Sequence, residues 1–215
     1  MGRVYIYVVA RDFGFAPNPF HGFCTLATCK PRIRSKAEVG DWVIGMGGDR
    51  LNATGRCIYG MRVSAKVNFN EYWTNPAYMD KKPVRNGSRK MMVGDNIYYF
   101  ESSNQKWQQA DSHHSNTDGS INIHNLENDT QTDKVLISNH FVFFGNEAPV
   151  VPKPLLESIG YENRRNYRVF EAPVCDALIN WLQTTFKKSF NTVVADPFDF
   201  SSSEKRFSVK GNKIT

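Results

Sequence analysis

Residues 11–48, RDFGFAPNPFHGFCTLATCKPRIRSKAEVGDWVIGMGG, decide how this chain folds. The part GFAPNPFHGF at 14–23 places two glycines, two prolines and three phenylalanines in ten residues, a composition that ends a strand and makes a defined loop. Rings in such a loop need cover, so the loop is expected to lie across a strand end. The part VGDWVIGMGG at 39–48 is a Gly-Asp turn feeding a short apolar strand, which stops at glycines 45, 47 and 48 where a backbone or ligand can approach closely. Between them, FCTLATCK at 23–30 fits a strand or a short helix, closed by Pro31. In KPRIRSK, the cations Lys30, Arg32, Arg34 and Lys36 form either a solvated connection or a phosphate-facing rim.

Upstream, VYIYVVA at 4–10 is apolar on both faces and reads as a central strand. Downstream, GRCIYGMRVSAKVNF at 55–69 reads as one long twisted strand, hairpin partner of the 42–47 strand, with a bulge at Gly60. Phe69, Tyr72, Trp73 and Tyr78 follow, with Pro76 preventing a regular helix through the middle. Lys81, Lys82, Arg85, Arg89 and Lys90 make a second basic cluster. GDNIYYF at 94–100 repeats the Gly-Asp turn and strand, and residues 101–133 turn polar, as a long functional or mobile loop does. KVLISNHFVFFG at 134–145 should close the sheet, PKPLLESIGY reads as a short helix ending at Gly160, and 171–188 carries apolar residues at helical spacing after Pro173.

A chain of 215 residues that is 40% hydrophobic buries one sizeable core. A net charge of +6 suits an anionic partner such as nucleic acid or a nucleotide. There is no charged-then-apolar leader and no long apolar run, so a cytoplasmic protein without a membrane span is expected. Cys24 and Cys29 lack a second close pair to complete a zinc site; with Cys57 and Cys175 they read as buried free thiols, and no disulfide is expected.

The densest set of acid, base and nucleophile groups is His113, His114 and Ser115 with His124 and Asp129. They can be polar loop residues, groups that hydrogen-bond a base edge, or catalytic groups with His114 as base and Asp129 or Ser115 nearby. Metal binding by the three histidines lacks a supporting spacing, and no metal is expected. No phosphate-loop or dinucleotide motif is present and no cofactor is specified. Trp42, on an apolar strand, reads as core, although it can also stack on a base; Trp107 lies in polar surroundings and reads as a base-stacking ring.

The order of these blocks resembles the PUA-like superfamily, especially its EVE and YTH-type members, in which a Gly-Asp strand and a Gly-rich return strand wall a pocket for a modified base. More closely, GFAPNPFHGFCTLATCKPRIR, GDWVIG, EYWTNPAYMDKKP, GDNIYY, SHHS, the DT before KVLISNHFVFFG, and NYRVF are similar, over residues 3–190, to the second of the nucleotide modification associated domain families. That resemblance implies a place in systems of hypermodified DNA bases and phage conflict, and no defined reaction. One departure stands out: Asn75-Pro76-Ala77 occupies the place of an Asp-Pro-Arg, so no carboxylate or guanidinium role carries over there.

The expectation is an α+β domain over residues 1–190, a curved, mostly antiparallel sheet or PUA-like β-barrel flanked by helices, with a partly loose extension at 191–215. The pocket should lie between the 12–24 and 101–133 loops. Its ligand would be a nucleotide base, modified, in DNA by preference or as a free nucleotide. Phe15, Phe20, Trp42 or Trp107 would stack, Asn18, His113 or His114 would bond the base edge, and Arg11, Lys30, Arg32 and Arg34 would meet phosphate. The rivals are an enzyme using His114, Ser115 and Asp129, and a protein-interaction module with an aromatic docking surface.

Overall fold

A computed structural model describes residues 2–164 and 166–215. In chain order the elements are β1 (Arg3–Val9), β2 (Cys24–Leu26), α1 (Pro31–Lys36), β3 (Trp42–Gly47), β4 (Cys57–Arg62), β5 (Ala65–Asn68), α2 (Phe69–Thr74), α3 (Arg89–Met92), β6 (Tyr98–Glu101) and β7 (Lys106–Gln109). Then come α4 (Ile123–Asp129), β8 (Lys134–Ser138), β9 (His140–Phe143), α5 (Lys153–Ser158), β10 (Tyr167–Glu171), α6 (Asp176–Thr185), β11 (Thr192–Val193), β12 (Phe207–Ser208) and β13 (Lys213–Ile214). The main sheet has the order β10-β1-β3-β4-β9-β11, a second sheet runs β2-β8-β5, and β6-β7 and β12-β13 are hairpins.

β1 is central, as its unbroken apolar run demands: it pairs in parallel with β3 and antiparallel with β10. Most other pairings are antiparallel, and the architecture is α+β with no closed barrel among the described residues. Two glycines let the layers meet. A Cβ on Gly45 would stand 2.4 Å from a Tyr59 ring carbon, and one on Gly60 2.5 Å from Leu182 Cδ2 of α6. Gly60 is therefore a seat for α6, whose buried Leu178 and Leu182 each contribute on the order of 1.5–3 kcal/mol. The bulge expected there falls instead between Gly45 and Met46 on the partner strand.

Several long runs break where the sheets part. Residues 55–69 form β4 in the main sheet and β5 in the second, and 134–145 likewise divides into β8 and β9, because Ser138 turns the corner by donating its hydroxyl to Arg62 O at 2.6 Å. The polar 101–133 segment is not one loop: it holds β7 and α4, the latter capped by Asn122, which accepts from Asn125 N at 3.2 Å. Pro31 opens α1 rather than closing the strand before it, since a first-turn proline forgoes only a free N–H.

Two apolar clusters result. The larger surrounds the main sheet; the smaller gathers Phe13, Phe15 and Phe20 of the proline-rich loop with Phe69, Tyr72, Tyr98 and β8 residues Val135 and Ile137. The loop thus lies across the second sheet, pinned by Asn18 and Thr25, whose backbones exchange bonds of 2.8 and 2.9 Å. A cavity opens along the seam between the clusters.

Candidate active site

The cavity encloses about 820 Å³. Tyr7, Val9 and Arg11 at the end of β1 form one side, Phe13 and Phe15 another, and Cys29, Lys30, His113 and His114 complete the deep end. Arg50 stands at the rim, and Phe207, Val209 and Asn212 of the C-terminal segment close the remaining wall.

At that deep end three groups converge from distant parts of the chain. Cys29 sits in the turn between β2 and α1, where it and Lys30 both take left-handed backbone angles, φ 54° and 39°. Non-glycine residues adopt this conformation only when their surroundings enforce it, and such positions gather at functional sites. Arg34, fully buried, does the enforcing: its guanidinium donates to Cys29 O at 2.8 Å, Asp129 O at 2.5 Å, Lys134 O at 2.7 Å and Thr132 O at 3.2 Å. One side chain thereby ties the cysteine turn to the end of α4. Asp129 also reaches back, its Oδ1 accepting from Cys29 N at 2.8 Å.

His114 lies between them. Its Nδ1 is 2.8 Å from Asp129 Oδ2, and its Nε2 is 3.7 Å from Cys29 Sγ. The carboxylate is further held by Tyr98, whose hydroxyl donates at 2.9 Å and in turn accepts from Gln109, its cross-strand partner in the β6-β7 hairpin, at 3.1 Å. Burial works to lower the pKa of His114, but the charges of Asp129 and Cys29 outweigh it and push it up to about 10. Burial likewise opposes ionisation of Asp129, and the His114 charge and hydrogen bond overcome it, so its pKa falls below the ordinary carboxylate value. An imidazolium clasped to a carboxylate, with its free nitrogen toward a sulfur, is the arrangement of a cysteine nucleophile with its base and orienting acid.

The adjacent histidine is its opposite. His113 is held down to about 3, first by burial and then by the charge of His114. Its Nδ1 donates to Lys205 O at 2.6 Å, which leaves Nε2 as an acceptor; the residue lines the cavity, and its ring packs on Phe13 and Phe15 at 4.5 and 5.1 Å between centroids.

The other sequence-predicted residues divide. Arg11, Phe15, Lys30, His113 and His114 line the cavity, and Asp129 stands directly behind His114. Arg32 is exposed on α1, outside the cavity. Arg34 cannot meet a phosphate, because four carbonyls already take its donors. Asn18 is spent inside its own loop, donating to Gly14 O and Val93 O and accepting from Lys81. Phe20 stacks on Phe200 at 5.4 Å, Trp42 packs edge-on to His140 and Phe190, and Trp107 packs on Phe69 and Phe100; none reaches the cavity. Ser115 turns away from His114 to Asp111 and Ser112 O, with Arg206 against it. Cys29, Tyr7 and Tyr98 went unselected; the only signal for Cys29 was a thiol between an apolar run and a proline, a pattern that buried structural cysteines share.

Cys29, His114 and Asp129 also place one ligand atom each within 4.8 Å of one another. Asp129 is on Nδ1 and Cys29 faces Nε2, so the two residues address different nitrogens of the ring, whereas an ion held by all three would take one of them. No helix among the described residues is long and apolar enough to cross a membrane. The pattern of one family, nucleotide modification associated domain 2, matches residues 1–204, and no curated protein and no solved structure matches the chain.

Proposed function

This chain belongs to the nucleotide modification associated domain 2 family, and we propose that its cavity binds a nucleotide, with a modified base, as part of a base-modification system. The observation that supports this most is the composition of the cavity lining, which brings the rings of Phe13 and Phe15 together with the cations Arg11, Lys30 and Arg50. The cavity volume suits a mononucleotide. Phe13 and Phe15 offer ring surface, and the acceptor nitrogen of His113 offers an edge contact. Arg11, whose Nε has no partner among the described residues, Lys30 and Arg50 offer positive charge. Burial and the nearby Arg50 charge lower the pKa of Arg11, so an anion between the two would be attracted by both.

A DNA strand and a free nucleotide differ in the number of phosphates engaged. Calorimetric titration with mononucleotides and with short single-stranded oligonucleotides, repeated at several salt concentrations, separates them: DNA binding should weaken steeply with salt, binding of a mononucleotide much less. Phe15→Ala should weaken either by about 5- to 100-fold, the loss of one stacked base. Failure to retain any nucleotide or oligonucleotide would sink the reading. The His114–Asp129 pair favours a second reading, in which the bound nucleotide is also transformed.

A further inference from the structure

We propose that Cys29 is a catalytic nucleophile, with His114 as its acid and base and Asp129 as the residue that orients His114, acting on an amide-type C–N bond of the ligand in this cavity. The proposal uses the same cavity as the binding reading but does not need the ligand to be a nucleotide. Three features of the site support it together. Cys29 is the only cysteine on the cavity wall; Cys24, Cys57 and Cys175 are buried elsewhere. Its sulfur faces the one histidine nitrogen that Asp129 leaves free. And Lys30, the next residue, carries its ammonium into the cavity over the Tyr7 ring, 4.6 Å from the centroid, where a developing oxyanion can be met.

The reaction would run in two halves. The attacking form is the ion pair, with the proton on His114 Nε2 and Cys29 Sγ as thiolate; Sγ attacks the carbonyl carbon, the C–S bond forms and the π electron pair moves to oxygen. As that pair returns, the C–N bond breaks, and the amine leaves with the proton from Nε2. Water then attacks the thioester and gives a proton to Nε2, the C–S bond breaks, and the thiolate–imidazolium pair is restored. The sum is hydrolysis of one C–N bond, with water as the only co-reactant; an amine in place of water gives group transfer. Arg34 is a positioning residue in this scheme, since it touches the Cys29 and Asp129 carbonyls and does not itself line the cavity.

The test uses the full-length protein and two probes. With iodoacetamide at pH 7, followed by peptide mass spectrometry, Cys29 should be alkylated at least about tenfold faster than glutathione, while the other three cysteines stay unmodified. With p-nitrophenyl acetate, a burst of about one nitrophenolate per chain should leave an acetyl group on Cys29. His114→Asn should slow both reactions by about tenfold or more, and Cys29→Ser, nearly isosteric, should abolish the adduct without shifting the thermal transition. Alkylation no faster than glutathione in the wild-type chain, which requires no variant to fold, would overturn the proposal. So would one tightly held zinc ion that blocks alkylation and is lost in both single variants. A chain that acylates but binds no nucleotide keeps this proposal and loses the preceding one; a chain that binds nucleotides through an inert Cys29 does the reverse.

Discussion

Two buried carboxylates in this molecule are built alike and end differently. Asp129 accepts from the Tyr98 hydroxyl at 2.9 Å, and Asp95 accepts from the Tyr72 hydroxyl at 2.8 Å. Each has a buried basic group in its field, His114 for the first and Lys81 for the second. Asp129 nevertheless sits below the ordinary carboxylate pKa, whereas burial carries Asp95 above it despite the opposing charge of Lys81. The reason is contact. His114 bonds its carboxylate directly, while Lys81 spends its donors on Asn18 O, Asn18 Oδ1 and Phe23 O at 3.0, 2.8 and 2.6 Å. The Lys81 network faces inward and fastens the proline-rich loop; the His114 network leaves one nitrogen clear of Asp129, and that nitrogen faces Cys29 Sγ on the cavity wall.

The two networks therefore respond differently to substitution. Lys81→Met removes one donor from each of three buried oxygens, Asn18 O, Asn18 Oδ1 and Phe23 O, and should cost about 3–5 kcal/mol, read from the urea midpoint at constant m-value. Alkylation of Cys29 should be unchanged as long as the chain is folded. Asp129→Asn should cost less, about 1.5–3 kcal/mol, yet slow acylation of Cys29 by about 100-fold, since the imidazolium loses its counter-charge. A result in which both variants lose stability and reactivity in the same proportion would erase the distinction.

Titration sharpens the same contrast. The pKa of His114 is raised in the folded state, from 6.5 to about 10, so its contribution is fully present below the unfolded value and is lost as pH rises through that window. The pKa of Lys81 is lowered, from 10.5 to about 8, by burial; the folded state binds that proton less well, so stability climbs between about 8 and 10.5. Between pH 8 and 10 the slopes oppose, each at most about 1.4 kcal/mol per pH unit. Relative to the wild type, unfolding free energy measured across that interval should therefore slope more steeply downward in Lys81→Met and less steeply downward in His114→Gln.

Much of the frame was legible because it rests on local pattern. The unbroken VYIYVVA run gave a central strand, the Gly-Asp turns gave two strand starts, and the phenylalanines of the 14–23 loop required cover that the second sheet supplies. What pattern cannot carry is which sheet a strand joins after a corner; residues 55–69 and 134–145 each look continuous and are not. The site was half legible for the same reason. His114 and Asp129 stood out as a polar cluster within one segment, but Cys29 is 85 residues from His114, and no local feature distinguishes it from Cys24 five residues before. Arg34 misled most. A cation alternating with small residues reads as surface, and only the carbonyls converging from the segment around 129–134 make its burial possible.

The smallest expected effect tests that last point on a single helix. Arg32 and Arg34 lie two residues apart on α1, one exposed and one enclosed, so the helix turns them to different surroundings. Arg32→Ala removes no internal bond, since its side chain makes none among the described residues, and should change unfolding free energy by less than about 0.5 kcal/mol. If the ligand is a DNA strand that continues past the rim, the same variant should lower the salt dependence of binding by about one unit of slope, uniformly across sequences. If the ligand is a free nucleotide held inside the cavity, the slope should stay where it is. Either outcome leaves the internal role of Arg34 untouched, whereas a destabilisation by Arg32→Ala comparable with that by Arg34→Met would mean that α1 presents its two arginines alike, and that the cysteine turn is not held by Arg34 in particular.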